Sequence, residues 1–103
     1  MPPKLVRDRI PEIIRADGAD PHITVAADDE YRRALRAKLT EETQEYLAAD
    51  ATSALEELAD ILEVVHALAA VHGADPAELE KTRRTKATER GAFTQRLIWH
   101  GNR

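Results

Sequence analysis

The sequence predicts a mainly α fold: an antiparallel helical bundle with a minor two-stranded β element. Apolar residues make up 43% of the chain and aromatic residues only 4%, so Leu, Ile, Val and Ala must form the core. Apolar residues also recur at helical spacing through the middle of the chain. Capping residues and glycines bracket the same stretches. A chain of 103 residues is expected to form one domain, residues 1–103.

The N-terminal part of the chain contains a short helix and then a short strand. In "RIPEIIRADG", Asp8 can cap a helix, Pro11 falls in its first turn, and Gly18 follows its end. The segment "HITVA" is rich in β-branched residues, which predicts a strand over residues 22–26. Its pairing partner is "FTQRLIW", residues 93–99, because a lone strand would leave backbone groups unpaired.

The first long helix is predicted over about residues 28–49, with Asp28 or Asp29 as its cap. Five of its residues fall on one stripe by helical spacing: Tyr31, Leu35, Leu39, Glu42 and Tyr46. Glu42 therefore interrupts a face that is otherwise directed inward.

The second long helix is capped by Thr52 or Ser53 and runs to about residue 72, before Gly73. It is apolar nearly all round after its first turn, which predicts a central position in the bundle. Asp60 lies inside it between apolar neighbours. Because Asp is a poor helix former in such an interior, its presence there favours a functional role.

The last helix is predicted between Asp75, its cap, and Gly91, its stop, with Pro76 in the first helical position. Beyond Leu79 this helix has little to bury. It is therefore expected to lie on a surface or over a ligand.

Charge is segregated along the chain. Residues 41–80 hold eleven acidic and no basic side chains, whereas residues 81–103 hold seven basic and one acidic. Helix faces that neutralise each other across the fold are one explanation. A metal site beside a phosphate site is the other.

Several classes of function are excluded by composition. The chain contains no cysteine, which excludes disulfides, thiolate zinc sites and a cysteine nucleophile. The start of the chain lacks a signal-like apolar run, and no stretch reaches the roughly 18 apolar residues that span a bilayer. A cytoplasmic protein that does not contact membranes is expected.

Two pairs of carboxylates have the spacing of a metal site. Glu42 and Glu45 are three residues apart on one helix, and Glu57 and Asp60 are three apart on the next. A short connection makes these helices antiparallel neighbours, so all four side chains can meet in one cleft. Converging buried carboxylates must either be protonated or surround a divalent cation. Oxygen ligands suit Mg²⁺, with Mn²⁺ as an alternative, and one or two ions can be held.

Three other acidic residues can be either metal ligands or ordinary solvent-exposed residues. For Glu41 and Glu56 a solvated helix face is the more ordinary explanation. Glu63 can be an additional ligand or an outward residue.

The motifs "EETQE" and "ELAD" together resemble the E-E-x-x-E and E-x-x-D signature of the MazG-like, all-α nucleoside triphosphate pyrophosphohydrolases. The opening "KLVRDRIPEII" and the closing "KATERGAF" look like one branch of that superfamily, the house-cleaning pyrophosphatases related to phosphoribosyl-ATP pyrophosphohydrolase. The resemblance spans almost the whole chain.

The resemblance implies a helical bundle that assembles as a dimer or a dimer of dimers. It also implies magnesium-dependent hydrolysis of a nucleoside triphosphate, including non-canonical ones, to the monophosphate and pyrophosphate. Glu42, Glu45, Glu57 and Asp60 match the metal ligands of the signature. Glu41 matches its leading Glu, and either Glu41 or Glu45 is expected to orient or deprotonate the attacking water.

Basic residues near both ends of the chain are candidates for binding the substrate phosphates. Arg83, Lys86 and Arg90 share one face of the last helix by spacing. The segment "KLVRDR" supplies a second group, Lys4, Arg7 and Arg9. Arg7 can instead form a structural ion pair, either with Asp8 or with an acidic helix. Trp99 either stacks on a base or packs in a core or interface.

Three other functions remain open from the sequence. Phosphoribosyl-ATP pyrophosphohydrolase needs the same metal site with a different substrate pocket. A non-enzymatic helical interaction module with a vestigial acidic cleft needs no metal. Nucleic-acid binding by residues 81–103 is the weakest, because the acidic remainder of the chain opposes a polyanion.

Overall fold

A computed structural model of the chain describes residues 3–103, and all regular secondary structure among them is α-helical. The four helices are α1 (Ile10–Ala16), α2 (Asp28–Ala48), α3 (Ala54–Val71) and α4 (Pro76–Arg90). The predicted mainly α fold is confirmed. Across residues 3–103, none of these helices combines the length and the apolar character that a membrane crossing requires.

The turn between α2 and α3 is built on Asp50. Its Oδ1 accepts hydrogen bonds from the backbone N–H of Thr52 at 3.0 Å and of Ser53 at 3.1 Å, and from the Ser53 hydroxyl at 3.2 Å. Ser53 occupies the N-cap position as predicted, but its side chain makes no cap bond to the helix. Asp50 instead holds the turn residues before α3, and α3 turns back along α2, against which it packs.

The cap of α4 agrees with the prediction. Asp75 Oδ1 accepts from the Glu78 backbone N–H at 2.8 Å, and Glu78 Oε1 accepts from the Asp75 N–H at 3.4 Å. Pro76 takes the start of the helix, and Gly91 follows its end with a φ of 84°. The helix packs on α3.

The caps predicted for α1 and α2 are wrong. Arg9 and Ala27 occupy those N-cap positions, and neither makes a side-chain cap bond. Asp28 and Asp29 lie in the first turn of α2 instead. There their negative charges interact favourably with the positive end of the helix dipole, so the two acids stabilise the start of α2 without capping it.

The predicted β element is also wrong: the structure forms no strand at residues 22–26 or 93–99. The second segment bends back on itself, because the Arg96 N–H donates to the Phe93 carbonyl at 3.2 Å and Arg96 adopts a φ of 62°. Val25 is 96% exposed. Strand propensity depends on a surface to pack against, and two short strands without one are marginal.

The core of the single chain is small. Among the described residues, Leu35 and Val64 are the buried apolar ones. The face of α3 that carries Leu55, Leu58 and Leu62 at helical spacing remains exposed. As predicted, α3 packs between other helices, since it contacts both α2 and α4, but its remaining apolar face is uncovered.

Candidate metal centre

Five carboxylates from α2 and α3 meet at one site. We call them the acidic cluster: Glu41, Glu42, Glu45, Glu57 and Asp60. They form two overlapping groups, one of Glu41, Glu42 and Glu45 and the other of Glu42, Glu57 and Asp60. Within each group, one carboxylate oxygen from every residue lies within 4.8 Å of the others. Glu42 belongs to both groups and therefore occupies the middle of the cluster.

Helical spacing and the Asp50 turn together produce this arrangement. Glu42 and Glu45 share one face of α2, and Glu57 and Asp60 share one face of α3. Because the turn is short and the two helices pack together, the faces meet near the closed end of the hairpin. Each carboxylate in the two predicted ligand pairs thus lies in the cluster.

Glu42 is the most informative member because it is buried without a full set of partners. The residue is only 6% exposed. Its Oε1 lies 3.2 Å from Lys38 Nζ, but its Oε2 is buried and bonds to none of the described residues. Glu57 Oε2, on the facing helix, is likewise buried and bonds to none of the described residues. Because a buried carboxylate oxygen without a partner is costly, a ligand that supplies positive charge would offset the cost at both oxygens.

A hard divalent cation fits this donor set. Mg²⁺ and Mn²⁺ prefer carboxylate oxygens, and Mg²⁺ is usually held by a few carboxylates together with substrate phosphates. Glu42, Glu45, Glu57 and Asp60 would supply the oxygens. The two oxygens without partners lie on different helices, so one ion between them would also tie α2 to α3.

The charge crowding is visible at Glu45, which lies on the exposed side of the cluster. A hydrogen bond with Glu42 and the negative charge of Glu42 raise the pKa of the Glu45 carboxyl, and the charges of Glu57 and Glu41 act in the same direction. In the metal-free chain, the cluster thus relieves part of its repulsion by holding a proton at Glu45 more tightly. A bound cation would oppose that protonation.

Lys38 is a neighbour of the cluster that sequence reasoning missed. Its Nζ lies 3.3 Å from Glu41 Oε2 and 3.2 Å from Glu42 Oε1, and its side chain is only 17% exposed. Burial alone would lower the pKa of Lys38, but its hydrogen bonds to Glu42 and Glu41 outweigh burial and raise it. The spacing of three and four residues from Lys38 to the two glutamates was the available signal.

The N-terminal strap, residues 4–7, brings two further cations to the cluster. Arg7 Nη2 donates to Asp60 Oδ1 at 2.6 Å, and Lys4 Nζ lies 3.6 Å from Glu41 Oε1. Leu5 and Val6 are half-buried and fix the strap between these two contacts. In this structure, both predicted phosphate-binding residues of the strap thus face the cluster's carboxylates.

Arg9 has a different position from the two cations of the strap. Its Nε donates to Glu12 at 2.7 Å, within the first turn of α1, and its side chain is largely exposed. The structure does not bring Arg9 to the acidic cluster.

The predicted cations of α4 are not joined to the cluster. Arg83 donates to both carboxylate oxygens of Glu80 on its own helix, at 2.8 and 2.6 Å. That pairing lowers the pKa of Glu80 and raises the pKa of Arg83. Lys86 and Arg90 are exposed, and across residues 3–103 no ion pair connects either of them to the cluster. Their role in phosphate binding stays a prediction.

Two other predicted candidates lie outside the cluster. Glu56 and Glu63 are exposed on α3, and neither belongs to the groups of converging carboxylates. Trp99 is also exposed, and its indole N–H donates to Asn102 at 3.2 Å. In the single chain this tryptophan therefore packs in no core.

Comparison with known proteins gives a partial relative. The chain is 59% identical over 51 residues to an uncharacterized protein of Mycolicibacterium smegmatis. The similar region covers 50% of this chain and 52% of that protein, so the chain spans about half the length of the relative it matches. No protein-family model and no solved structure matches the chain.

Proposed function

We propose that the chain is a magnesium-dependent nucleoside triphosphate pyrophosphohydrolase, with Mn²⁺ as an alternative ion. The observation that carries the proposal is a pair of buried carboxylate oxygens, one on Glu42 and one on Glu57, that have no partner within residues 3–103 and belong to the five converging acids. The resemblance of the two acidic motifs to the MazG-like signature supports the same reaction and names the substrate class. The proposed fold is the corresponding MazG-like bundle.

The reaction would proceed by attack of water on the α-phosphorus of the triphosphate. The bond from that phosphorus to the oxygen bridging the α- and β-phosphates breaks, releasing the monophosphate and pyrophosphate. When bound, the divalent cation supplies positive charge that polarises a phosphoryl oxygen and favours ionisation of the water. Glu42, Glu57 and Asp60, with Glu45, would hold that cation.

The proton of the attacking water would pass to a carboxylate at the edge of the cluster. Glu41 and Glu45 are the two candidates. Glu45 is exposed to entering water. Glu41 already accepts from Lys38 and lies near Lys4, so its oxygens are less available to a water, which favours Glu45 for this role.

The proposed activity is tested by measuring pyrophosphate release from a panel of standard and damaged nucleoside triphosphates, with and without Mg²⁺. We expect Mg²⁺-dependent release that falls at least about a hundredfold in Asp60→Ala, as for loss of one group that stabilises charge in a transition state. The matched control is Glu63→Ala, which removes an exposed acid three residues further along the same helix and should retain activity.

Phosphoribosyl-ATP belongs in the same panel, since it would be hydrolysed through the same metal site. Preference for it would assign the chain to the histidine-synthesis reaction instead. If no substrate is hydrolysed and no Mg²⁺ or Mn²⁺ binds, the non-enzymatic interaction module is the better description.

A homo-oligomer is part of the proposal. The exposed leucines of α3 form a stripe that the single chain does not cover, at Leu55, Leu58 and Leu62. The accessible surface of the chain is 9305 Å², whereas a compact monomer of this length would expose about 5,800 Å². A second copy is the occupant proposed for this stripe. An obligate dimer buries about 2,000–5,000 Å² in total, about half of it from each partner, so a second copy would cover only part of this excess.

A further inference from the structure

We propose that Arg7 exchanges partners during binding, holding Asp60 in the metal-free chain and a phosphate of the substrate when metal and polyphosphate are both present. The inference rests on the proposed function and deepens it. It makes Arg7 a substrate-binding residue that couples metal binding to polyphosphate binding at the same site.

The contact of Arg7 has the form of a temporary pairing. One guanidinium nitrogen donates to Asp60 Oδ1 at 2.6 Å, across 53 residues of sequence. The side chain remains 54% exposed, and no other described residue accepts from it. A guanidinium has five donors in a fixed planar fork that matches phosphate and carboxylate geometry. Arg7 therefore keeps donors directed to solvent beside the cleft.

Asp60 is the point of competition. The carboxylate that pairs with Arg7 also lies within 4.8 Å of oxygens from Glu42 and Glu57 in the candidate metal group. A dication bound there and the Arg7 guanidinium would share one carboxylate. Because both are positive and close together, each weakens the binding of the other.

A polyphosphate removes this competition. Lys4, Arg7 and Lys38 already offset part of the negative charge of the five acids. A nucleoside triphosphate brings several new negative charges to the mouth of the cleft, and the two exposed cations, Lys4 and Arg7, can then bind its oxygens. Metal and polyphosphate should consequently bind more tightly together than separately, which is positive cooperativity with a negative coupling free energy.

The test compares Arg7→Gln with wild type in two measurements. The first is the Kd for Mn²⁺ alone, by calorimetry without nucleotide. The second is the KM for the best triphosphate of the panel at saturating Mg²⁺. We expect the Kd for the metal alone to fall about threefold or more, because Asp60 is released from its ion pair with Arg7. The change is modest because an exposed ion pair contributes little free energy. We expect KM to rise about tenfold from loss of a charge-assisted phosphate contact.

The opposite direction of the two changes separates this role from a structural one. A variant that merely loosens the fold would weaken both the metal and the substrate. Arg9→Gln is the matched control, because Arg9 lies two residues away and, among the residues that the structure describes, pairs with Glu12 alone. Both constants should stay at the wild-type values. Arg7→Lys keeps the charge, so its Kd for Mn²⁺ and its KM should both return most of the way to the wild-type values. Circular dichroism checks that each variant is folded.

The inference is overturned if Arg7→Gln changes neither constant, or weakens metal and substrate together, while the wild-type chain binds metal and hydrolyses the substrate. That result would leave the proposed function intact. Failure of the wild-type chain to bind Mn²⁺ or Mg²⁺ at all would instead overturn the proposed function, and this inference with it.

Discussion

Glu42 shows how one buried charge can contribute to function at a cost in stability. It lies on a stripe that is otherwise apolar, beside Leu35 and Leu39, where a leucine would pack without loss. Its Oε2 has no partner among the described residues. An uncompensated buried oxygen of this kind lowers the stability of the folded chain, and the proposed cation would offset that cost.

Glu42→Gln should therefore change stability and metal binding in opposite directions. We expect the free energy of unfolding in EDTA to rise by about 1 kcal/mol, since the penalty of an unsatisfied buried group is about 1–3 kcal/mol and the amide recovers only part of it. Stabilisation by Mg²⁺ should be lost. Urea unfolding with and without Mg²⁺ measures both. Glu56→Gln is the control, because Glu56 is exposed and outside the cluster.

The pKa of Glu45 gives a pH dependence with a defined sign. Because the folded pKa is raised above the unfolded one, this group contributes stability that is fully present below the unfolded pKa. The contribution is lost as pH rises through the folded pKa. Metal-free wild-type chain should thus lose stability over that window relative to Glu45→Gln. Mg²⁺ should reverse the trend by favouring the charged form, and parallel urea curves for both proteins in Mg²⁺ would contradict this account.

At the level of elements, local signals predicted the helices better than their ends or the strands. The cap of α4 was predictable because Asp75, Pro76 and Glu78 act within one turn. The N-cap position of α3 was predictable too, at Ser53, but the role of Asp50 was not, because Asp50 bonds to the turn residues Thr52 and Ser53 rather than to the helix. Residues 93–99 have strand-like composition but no sheet to join, and a bend at Arg96 replaces the extended chain.

Some contacts of the candidate site could also be predicted from the sequence and others could not. The meeting of the acidic residues could be predicted because it depends on spacing within two helices and one short turn. The contacts of Lys4 and Arg7 with Glu41 and Asp60 could not, because they depend on where an irregular segment lies in three dimensions. Sequence spacing left both a phosphate contact and a structural ion pair open for Arg7.

The turn at Asp50 can be separated from ordinary helix capping by two matched variants. Asp50→Ala should lower the unfolding midpoint at neutral pH and also weaken Mg²⁺ binding, because the turn holds Glu45 and Glu57 in register. Asp75→Ala should cost about 1 kcal/mol of stability as a lost N-cap, without changing the Mg²⁺ affinity. Equal Mg²⁺ affinities in the two variants would show that the turn does not position the site.

The Asp50 effect should also depend on pH in the opposite sense to that of Glu45. Hydrogen bonds from the Ser53 backbone, the Ser53 hydroxyl and the Thr52 backbone lower the pKa of the Asp50 carboxyl. Its contribution is therefore present above the unfolded pKa and is lost as pH falls through the folded pKa. The midpoints of wild type and Asp50→Ala should converge in acid, which thermal unfolding followed by circular dichroism will measure.

At the scale of the whole molecule, the single chain has too little core for its surface. Its radius of gyration is 17.7 Å, whereas a compact domain of this length has one of about 13 Å. Large apolar residues are exposed on the helices and in the C-terminal segment: Tyr46, Leu47, Leu55, Leu58, Leu62, Phe93, Leu97, Ile98 and Trp99. Apolar surface on this scale marks an interaction surface.

The stripe on α3 makes the proposed second copy testable. We expect the wild-type chain to sediment as a dimer or a dimer of dimers at micromolar concentration, and Leu62→Glu to shift it toward monomer, because a charge would be buried without a partner at the interface. Val25→Glu is the control, since Val25 is 96% exposed in the segment before α2. Sedimentation velocity of all three proteins measures the masses. A dimer that supplied the missing core would make the midpoint of unfolding depend on protein concentration. A wild-type chain that stays monomeric, with a midpoint independent of concentration, would therefore mean that the stripe serves another partner.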